Sequence, residues 1–178
     1  RINLVSKSTS AEIVIVEVGG TVGDIESLPF LEALRQLRSD LGRENTVNVH
    51  VTWLPYIGAT DEIKTKPTQH SVAELRSIGI APDMIVARSD HPVAENLREK
   101  IAQFCDVEKR AVIPMVTSPI LYEIPLLLEK EKVGEYLLHR LNLDSKQQPD
   151  MSDWEKLVSE TAREKPRVSV ALVGKYVE

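Results

Sequence analysis

The sequence contains a single cysteine, few aromatic residues and no long apolar stretch. Because Cys105 has no second cysteine to pair with, an intrachain disulfide is excluded, and a reducing, cytoplasmic setting is expected. The longest mainly apolar runs, at 13–18 and 168–173, are far shorter than the roughly 20 residues of a membrane-crossing helix. No charged and then apolar leader precedes the first of these runs. We therefore expect neither a membrane protein nor a disulfide-held scaffold.

Positive charge is also scarce. Lysine and arginine together number 22 against 27 aspartates and glutamates, which gives a net charge of −5. A general nucleic-acid surface needs a cationic stripe, so we expect no nucleic-acid partner and a phosphate ligand held only by a local group of cations. With 42% hydrophobic and 28% charged residues, the chain is typical of a globular domain. Since it begins at Arg1 and stops soon after an apolar run, we expect a piece of a longer protein.

Short apolar runs alternate with segments whose apolar residues recur every three or four positions. The runs are typical of buried parallel strands, and the periodic segments are typical of surface helices. Strands are predicted at 13–18, 47–54, 84–87, 111–113 and 168–173, and helices at 31–41, 67–78, 92–104, 125–128, 133–141 and from 152 onward. This order predicts an α/β fold with three layers, an open and mostly parallel sheet with helices on both faces.

Local signals refine this prediction. Ser27 is a predicted N-cap with Pro29 just inside the helix and Gly42 at its end, and Ser89 or Asp90 is predicted to cap the helix at 92–104. The valines of 47–54 alternate with polar residues, which indicates a strand near the sheet edge or one with a wetter face. Residues 56–67 are predicted as a long loop and 142–150 as a linker. Ser152 and Glu155 predict a capping box.

Ligands of open parallel sheets bind beyond the carboxyl ends of the strands, where segment 17–27 is expected to lie. This segment holds three glycines and the carboxylates Glu17, Asp24 and Glu26. Glu17 ends an apolar strand and suits a magnesium ligand in phosphoryl transfer, while the glycines allow a ligand to approach the backbone closely. The alternative is a tight glycine turn in which Asp24, Glu26 and Ser27 only favour the following helix. The residues alone leave both interpretations open.

Segment 64–70 combines two lysines and two threonines just before a predicted helix. Such a combination is a candidate receptor for a triphosphate, because helix N-terminal amides and lysines both attract anions. The alternative, about equally supported, is a solvated loop in which Thr65 or Thr68 caps the helix and Pro67 takes its first position. His70 is more typical of a packed helix residue than of a general base.

Weaker candidates follow two later strands, at 88–91 and at Thr117 and Ser118. Lys100, Phe104 and Cys105 share a predicted helix, where ordinary surface or core roles suffice for each. No histidine lies close in sequence to Cys105, which disfavours a nucleophilic role. The sequence contains neither a GxxxxGK[ST] phosphate loop nor Cys/His spacing typical of a metal site.

Two longer motifs, EVGGTVGDIESLPFLE at 17–32 and KTKPTQHSV at 64–72, closely resemble signature segments of the CTP synthase family. The likeness extends to 77–83, 88–90, 122–125 and 173–178. The resemblance implies a P-loop NTPase-like, dethiobiotin synthetase-like synthetase domain that uses ATP and Mg²⁺ to aminate UTP to CTP through a 4-phosphorylated UTP. Glutamine or ammonia would supply the nitrogen, glutamine and GTP would act through a glutaminase domain, and CTP would inhibit. The family also implies a homotetramer whose pyrimidine site is shared between subunits.

The resemblance carries roles to individual positions. Glu17 matches the magnesium ligand, Ser118 an ATP-adenine contact, and Phe104 a position near the inhibitory CTP base. No residue is assigned a certain catalytic role, and Lys66 is a candidate phosphate stabiliser. The positions that match UTP and CTP contacts are Asp24, Ile25, Glu26, Lys64, Thr65, Lys66, Pro67, Thr68, Gln69 and Lys100.

The resemblance also implies how the chain divides. Residues 1–141 would be the later part of the amidoligase domain, 142–166 a linker with a short helix, and 167–178 the first strand of a class I glutamine amidotransferase domain. The phosphate loop and the glutaminase triad would lie outside the chain, so the fragment alone is expected to be inactive. Two alternatives remain: a nucleotide-binding and oligomerisation module without chemistry, and a different ATPase that shares only the acid at the strand end.

Overall fold

The computed structural model describes residues 2–144 and 147–175. Short 3-10 turns lie at Arg43–Asn45, Lys109–Ala111 and Leu121–Glu123. The helices are α1 (Ile2–Thr9), α2 (Leu28–Leu41), α3 (Lys66–Ser77), α4 (Glu95–Cys105), α5 (Ile124–Lys130), α6 (Val133–Arg140) and α7 (Ser152–Ala162). The strands are β1 (Val49–Trp53), β2 (Tyr56–Ile57), β3 (Glu62–Ile63), β4 (Met84–Ser89) and β5 (Val112–Val116). None of the helices in the described ranges combines the length and apolarity that crossing a membrane would require.

Three of the strands form a parallel sheet in the order β1-β4-β5. Because side chains alternate along β4, Ile85 faces one side and Met84 the other. Ile85 packs with Val72 of α3 and Ile101 of α4, whereas Met84 packs with Tyr136 of α6. The sheet therefore has helices on both faces, as the sequence predicted, and the α/β architecture with a parallel sheet is confirmed.

Two of the predicted strands are not formed among the described residues. Ile13 and Ile15 lie in irregular backbone, with Ile15 91% exposed, and residues 168–173 are also irregular and exposed. Both predictions were wrong for the same reason. An apolar, β-branched run shows what a strand could bury, but a strand forms only beside a partner that completes its hydrogen bonds. None of the described strands pairs with either run.

β1 lies at an edge of the sheet, which confirms that part of the prediction, since β4 is its only partner among the described strands. Its two faces are the reverse of a usual amphipathic strand. Polar His50 and Thr52 are buried, while Val49, Val51 and Trp53 are exposed. The polar side chains of β1 thus face the helix α3 and not water.

Helix starts differ from the sequence-based predictions more than helix bodies do. Ser27 occupies the N-cap position of α2, but its Oγ donates to the carbonyl of Asp24 and caps no helical amide. α4 begins at Glu95, after Ala94, so neither Ser89 nor Asp90 caps it. Ser152 is already helical, because the cap of α7 is Met151. Side-chain capping was therefore wrongly predicted at all three sites.

Gly42 ends α2 as predicted, with φ of 87°, a value that disfavours any residue with a Cβ. Two short elements were not predicted from the sequence. Residues 2–9 form α1, and the predicted loop at 56–67 contains an antiparallel hairpin of β2 and β3, in which Ile57 lies opposite Glu62. Strands of two residues carry too little periodicity to predict.

Asp83 joins several elements at the end of the sheet where its parallel strands begin. Its carboxylate accepts hydrogen bonds from Arg38 of α2 at 2.5 and 2.9 Å, from Arg140 of α6 at 2.9 Å and from the Asn48 amide at 2.8 Å. Its carbonyl accepts one from the Tyr136 hydroxyl at 3.0 Å. Burial favours a higher pKa for Asp83, but the bonds from Arg38, Asn48 and Arg140 outweigh it and hold that pKa below its ordinary value.

Removing the Asp83 carboxylate charge should destabilise the domain. We expect Asp83→Asn to cost about 2–3 kcal/mol, because it leaves two partly buried arginines without their shared anion. Denaturant unfolding measures this, with the exposed Asp40→Asn on α2 as the matched control. Since the pKa of Asp83 is depressed in the folded state, its contribution is present above pH about 4 and is lost as the pH falls further. Equal midpoints for the two variants would contradict this role.

Candidate functional site

The glycine-rich segment forms a tight turn that leads into α2. The Thr21 amide donates to the Asp24 carboxylate at 2.9 Å, and the Asp24 amide donates back to the Thr21 carbonyl at 3.0 Å. Gly20 and Gly23 have φ of 90° and 101°, and a Cβ on Gly20 would lie 3.2 Å from the Asp24 carboxylate. The turn therefore requires these glycines, and Asp24 has a structural role besides any contact with a ligand.

This turn borders an open cleft of about 320 Å³. Glu17, Asp24 and Glu26 all line it, together with Phe30, so the structure brings the three predicted carboxylates to one place. Glu17 forms no ion pair or hydrogen bond with another described residue. Ile25 lies beside them and is largely exposed. The cleft thus offers oxygen atoms for a hydroxyl, an amine or a metal ion.

The second predicted segment leads into α3. Thr65 occupies the N-cap position without a side-chain hydrogen bond to a helical amide, and Pro67 lies in the first turn. The Gln69 side-chain amide donates to the Thr65 hydroxyl at 3.2 Å. Thr65 and Thr68 are both buried, whereas Lys66 and Pro67 are exposed. This segment therefore presents its lysines and the amides of the first turn to a ligand.

A polar seam, defined here as His50 and Thr52 of β1 with Thr68 and Ser71 of α3, fixes this helix on the sheet. His50 Nε2 and Ser71 Oγ are 2.8 Å apart, and the Thr68 hydroxyl donates to that of Thr52 at 3.1 Å. Apolar side chains would pack in several registers, but these two hydrogen bonds specify one. The seam therefore sets where the N-terminus of α3 points.

Lys64, which follows β3, forms an ion pair with Glu62, and the charge of Lys100 on α4 also acts on this carboxylate. Lys64 Nζ lies 2.5 Å from Glu62 Oε2. The pKa of Glu62 is lowered mainly by this hydrogen bond and by the charge of Lys64, with a further contribution from the charge of Lys100 on α4. Phe104 lies one turn beyond Lys100 and is 59% exposed. Of the predicted triphosphate cations, Lys64 is thus the one that contacts Glu62 directly.

The cations and the carboxylates form separate groups within one chain. A Cβ on Gly23 would lie 3.5 Å from the Glu74 side chain, so the glycine turn packs beside the last turns of α3. Lys66 begins the same helix, and the rise per residue places it about 12 Å from Glu74 along the axis. The structure therefore does not bring Asp24 and Glu26 together with Lys64 and Lys66.

The loops after β4 and β5 are joined to each other. The Thr117 amide donates to the Ser89 carbonyl at 2.8 Å, and its hydroxyl donates to Asp90 at 2.8 Å. Ser118, the predicted adenine contact, donates to the Glu123 carboxylate at 2.5 Å and accepts from the Ile120 amide at 3.0 Å. With its hydroxyl engaged, Ser118 would contact a ligand through its backbone.

Arg88 adds a cation at the same edge of the sheet, stacked 5.6 Å from the centre of the Trp53 ring. The geometry agrees with an attractive contact between a guanidinium and an aromatic face. Cys105 is buried at the end of α4, and burial raises the pKa of its thiol. Raising that pKa disfavours the reactive thiolate, as expected from the sequence.

Glu62 was missed by the sequence analysis, although a signal was present. In extended chain, side chains two positions apart lie on the same face, so Glu62 and Lys64 could have been predicted to meet. The long-loop prediction for 56–67 hid this spacing.

Taken together, the fold and the site define a parallel α/β protein with lysines beside one helix N-terminus and a carboxylate-lined turn that leads into another helix. This arrangement is typical of proteins that bind phosphate-containing ligands. A family model described as CTP synthase N-terminus matches residues 1–143. The chain therefore belongs to the CTP synthase family.

Individual relatives agree with this assignment. Over all of its 178 residues, the chain is 56% identical to the CTP synthases of Roseiflexus sp. (strain RS-1), Dehalococcoides mccartyi (strain ATCC BAA-2266 / KCTC 15142 / 195) and Chloroflexus aggregans (strain MD-66 / DSM 9485). It spans 32% of the length of each, about a third. The expected division at 141 and 166, and the expected phosphate loop outside the chain, stay predictions.

Titration of His50 should weaken the polar seam. Burial lowers the pKa of His50, so its contribution to stability is present above pH about 6.5 and is lost as the pH falls below that value. We expect the free energy of unfolding to fall between pH 7 and pH 5 in the wild type and to fall less in His50→Asn. His70 on α3 is exposed and not packed as predicted, so His70→Asn is the control and should follow the wild type. The same slope in all three proteins would contradict a buried, neutral His50.

Proposed function

We propose that this chain is part of a CTP synthase that aminates UTP to CTP. ATP would phosphorylate the 4-oxygen of UTP, and ammonia, released from glutamine elsewhere in the protein, would then displace that phosphate. In such a step the chain needs to position the substrates and neutralise their charge, and no protein nucleophile is required. This suits a site that has lysines and carboxylates and an unreactive, buried Cys105.

The observation that carries the proposal is the position of Lys64, which lies directly before the N-terminus of α3 and contacts the Glu62 carboxylate at 2.5 Å. In a chain of net charge −5, Lys64 and Lys66 beside the first-turn amides of α3 make a local receptor for several phosphate charges. Lys66, which begins that helix, has no ion-pair partner in the described ranges and would contact the phosphates too.

Magnesium is implied by the family, and Glu17 is the residue of this chain that would hold it. Mg²⁺ prefers one or two carboxylates and takes its other ligands from water and substrate phosphates. Glu17 fits this pattern, since its carboxylate lines the open cleft without an ion-pair partner among the described residues. Although three carboxylates line the cleft, no three His, Cys, Asp or Glu side chains are close enough to hold one metal ion together in the part of the chain that the structure describes. A closed protein cage is thus not what these residues provide.

A pyrimidine site shared between subunits accounts for the separation of the two groups. Asp24 and Glu26 suit the hydroxyl and amine groups of a nucleoside, and Lys64 and Lys66 suit its phosphates. Because α3 separates the two groups within one chain, one nucleotide would span them when a second copy supplies the missing half. A homotetramer, as the resemblance implied, would place such sites at its interfaces.

This separation also supports the alternative of a nucleotide-binding and oligomerisation module. In that case UTP or CTP would increase the mass of the oligomer that this chain forms, without any turnover. Mass measurement during a UTP titration, with CTP formation followed in parallel, separates module from enzyme.

Loss of a lysine that binds the triphosphate should weaken the binding of UTP. In the full-length protein we expect Lys64→Ala to raise the Kd for UTP about 10- to 100-fold, because a hydrogen bond to a charged group is lost. The matched control is Lys130→Ala, an exposed lysine at the end of α5, which should leave the Kd unchanged. Calorimetric titration measures both. Wild-type affinity in Lys64→Ala would mean that this segment does not bind the triphosphate.

Mixing two inactive variants tests whether the site is shared. Full-length Lys64→Ala and Glu26→Gln should each form little CTP. If one chain supplies Lys64 and another supplies Glu26, random hybrids restore about a quarter of the sites. We therefore expect activity to appear after the two proteins are dissociated and reassembled together. Its absence, with assembly verified by mass, would place both residues in one subunit's site.

A further inference from the structure

The Glu62 carboxylate lies beside Lys64, the lysine that precedes α3. The hairpin of β2 and β3 sets its position, because Glu62 pairs with Ile57 in the ladder and the Lys64 amide donates to the Pro55 carbonyl at 2.9 Å. Asp61, at the turn, has φ of 50° and accepts a hydrogen bond from the Tyr56 hydroxyl at 2.6 Å. The backbone thus presents Glu62 and Lys64 on one side, while Asp61 is held elsewhere.

The contact between Glu62 and Lys64 is that of an anion bound to the site. The carboxylate lies 2.5 Å from Lys64 Nζ, within the field of Lys100, and both Glu62 and Lys64 are partly exposed. A phosphate oxygen that binds Lys64 would approach the Glu62 carboxylate and would carry the same sign of charge. The Lys64 ammonium has three N–H donors, but the like charges of Glu62 and a phosphate repel each other, so close binding of one weakens that of the other.

We propose that Glu62 acts as an internal substitute for phosphate, so that a nucleotide triphosphate competes with the Glu62 carboxylate for Lys64. This rests on the proposed function and adds a regulator of affinity to it. Each binding event weakens one ion pair within the protein, and the site's Kd is therefore higher than its lysines alone would give. Without ligand, the same contact keeps Lys64 from pairing with other anions.

The test compares two neutralised carboxylates of one hairpin in the full-length protein. Glu62→Gln should lower the Kd for UTP about two- to fivefold, the range expected when an exposed ion pair no longer competes. Asp61→Asn changes the net charge equally but touches Tyr56 and not a lysine, so it should have a smaller effect. The difference between the variants should shrink at about 1 M salt, where the Debye length is about 3 Å. Equal effects of the two, or weaker binding by Glu62→Gln, would overturn the inference.

A double variant separates failure of this inference from failure of the proposed function. With Lys64 replaced by alanine, most of the gain from Glu62→Gln should vanish, because the two residues act through one contact. If Lys64→Ala itself leaves the Kd for UTP unchanged, the proposed triphosphate site is wrong. If Lys64→Ala raises the Kd for UTP while Glu62→Gln leaves that Kd unchanged in either background, only the proposed competition by Glu62 is wrong.

Discussion

One carboxylate, that of Asp83, holds the amino-terminal edge of the sheet together. It accepts from α2, from α6 and from the residue before β1, so elements on both faces of the sheet depend on the same two oxygens. A buried charge is costly unless its partners are complete, and here two guanidinium groups and a backbone amide satisfy it. With that edge fixed, the opposite ends of the strands can carry loops whose residues need not contribute to packing.

The polar seam holds α3 on β1, and the first turn of that helix lies where a ligand is expected. Hydrogen bonds between β1 and α3 hold that helix in one register, so its first turn and the lysines before it have a defined position. Polar contacts in a core contribute less stability than good apolar packing, but they specify one arrangement. In this domain they lie directly under the segment that the family resemblance assigns to phosphate binding.

Much of the fold could be predicted from the sequence, because the bodies of α2, α3, α4 and the strands β1, β4 and β5 each carry a clear local period. The candidate site was predicted through motifs, and the structure groups Glu17 with Asp24 and Glu26. What could not be predicted depended on distant partners. Segment 13–18 has the composition of a strand but no strand beside it. The buried face of β1 was decided by hydroxyls on α3. The effect of the Lys100 charge on Glu62 likewise depends on the packing of α4.

The reversed faces of β1 have a consequence for preparing this domain. Natural edge strands avoid aggregation with lysine, proline or a bulge, and the sequence VHVTW of β1 contains no charged residue and no proline. Its outer edge is unpaired among the described strands, and Val49, Val51 and Trp53 face solvent beside it. Such a surface is a template for unwanted strand addition between molecules. Yield of the isolated domain would therefore be limited by concentration and refolding conditions, even where its helices and core are stable.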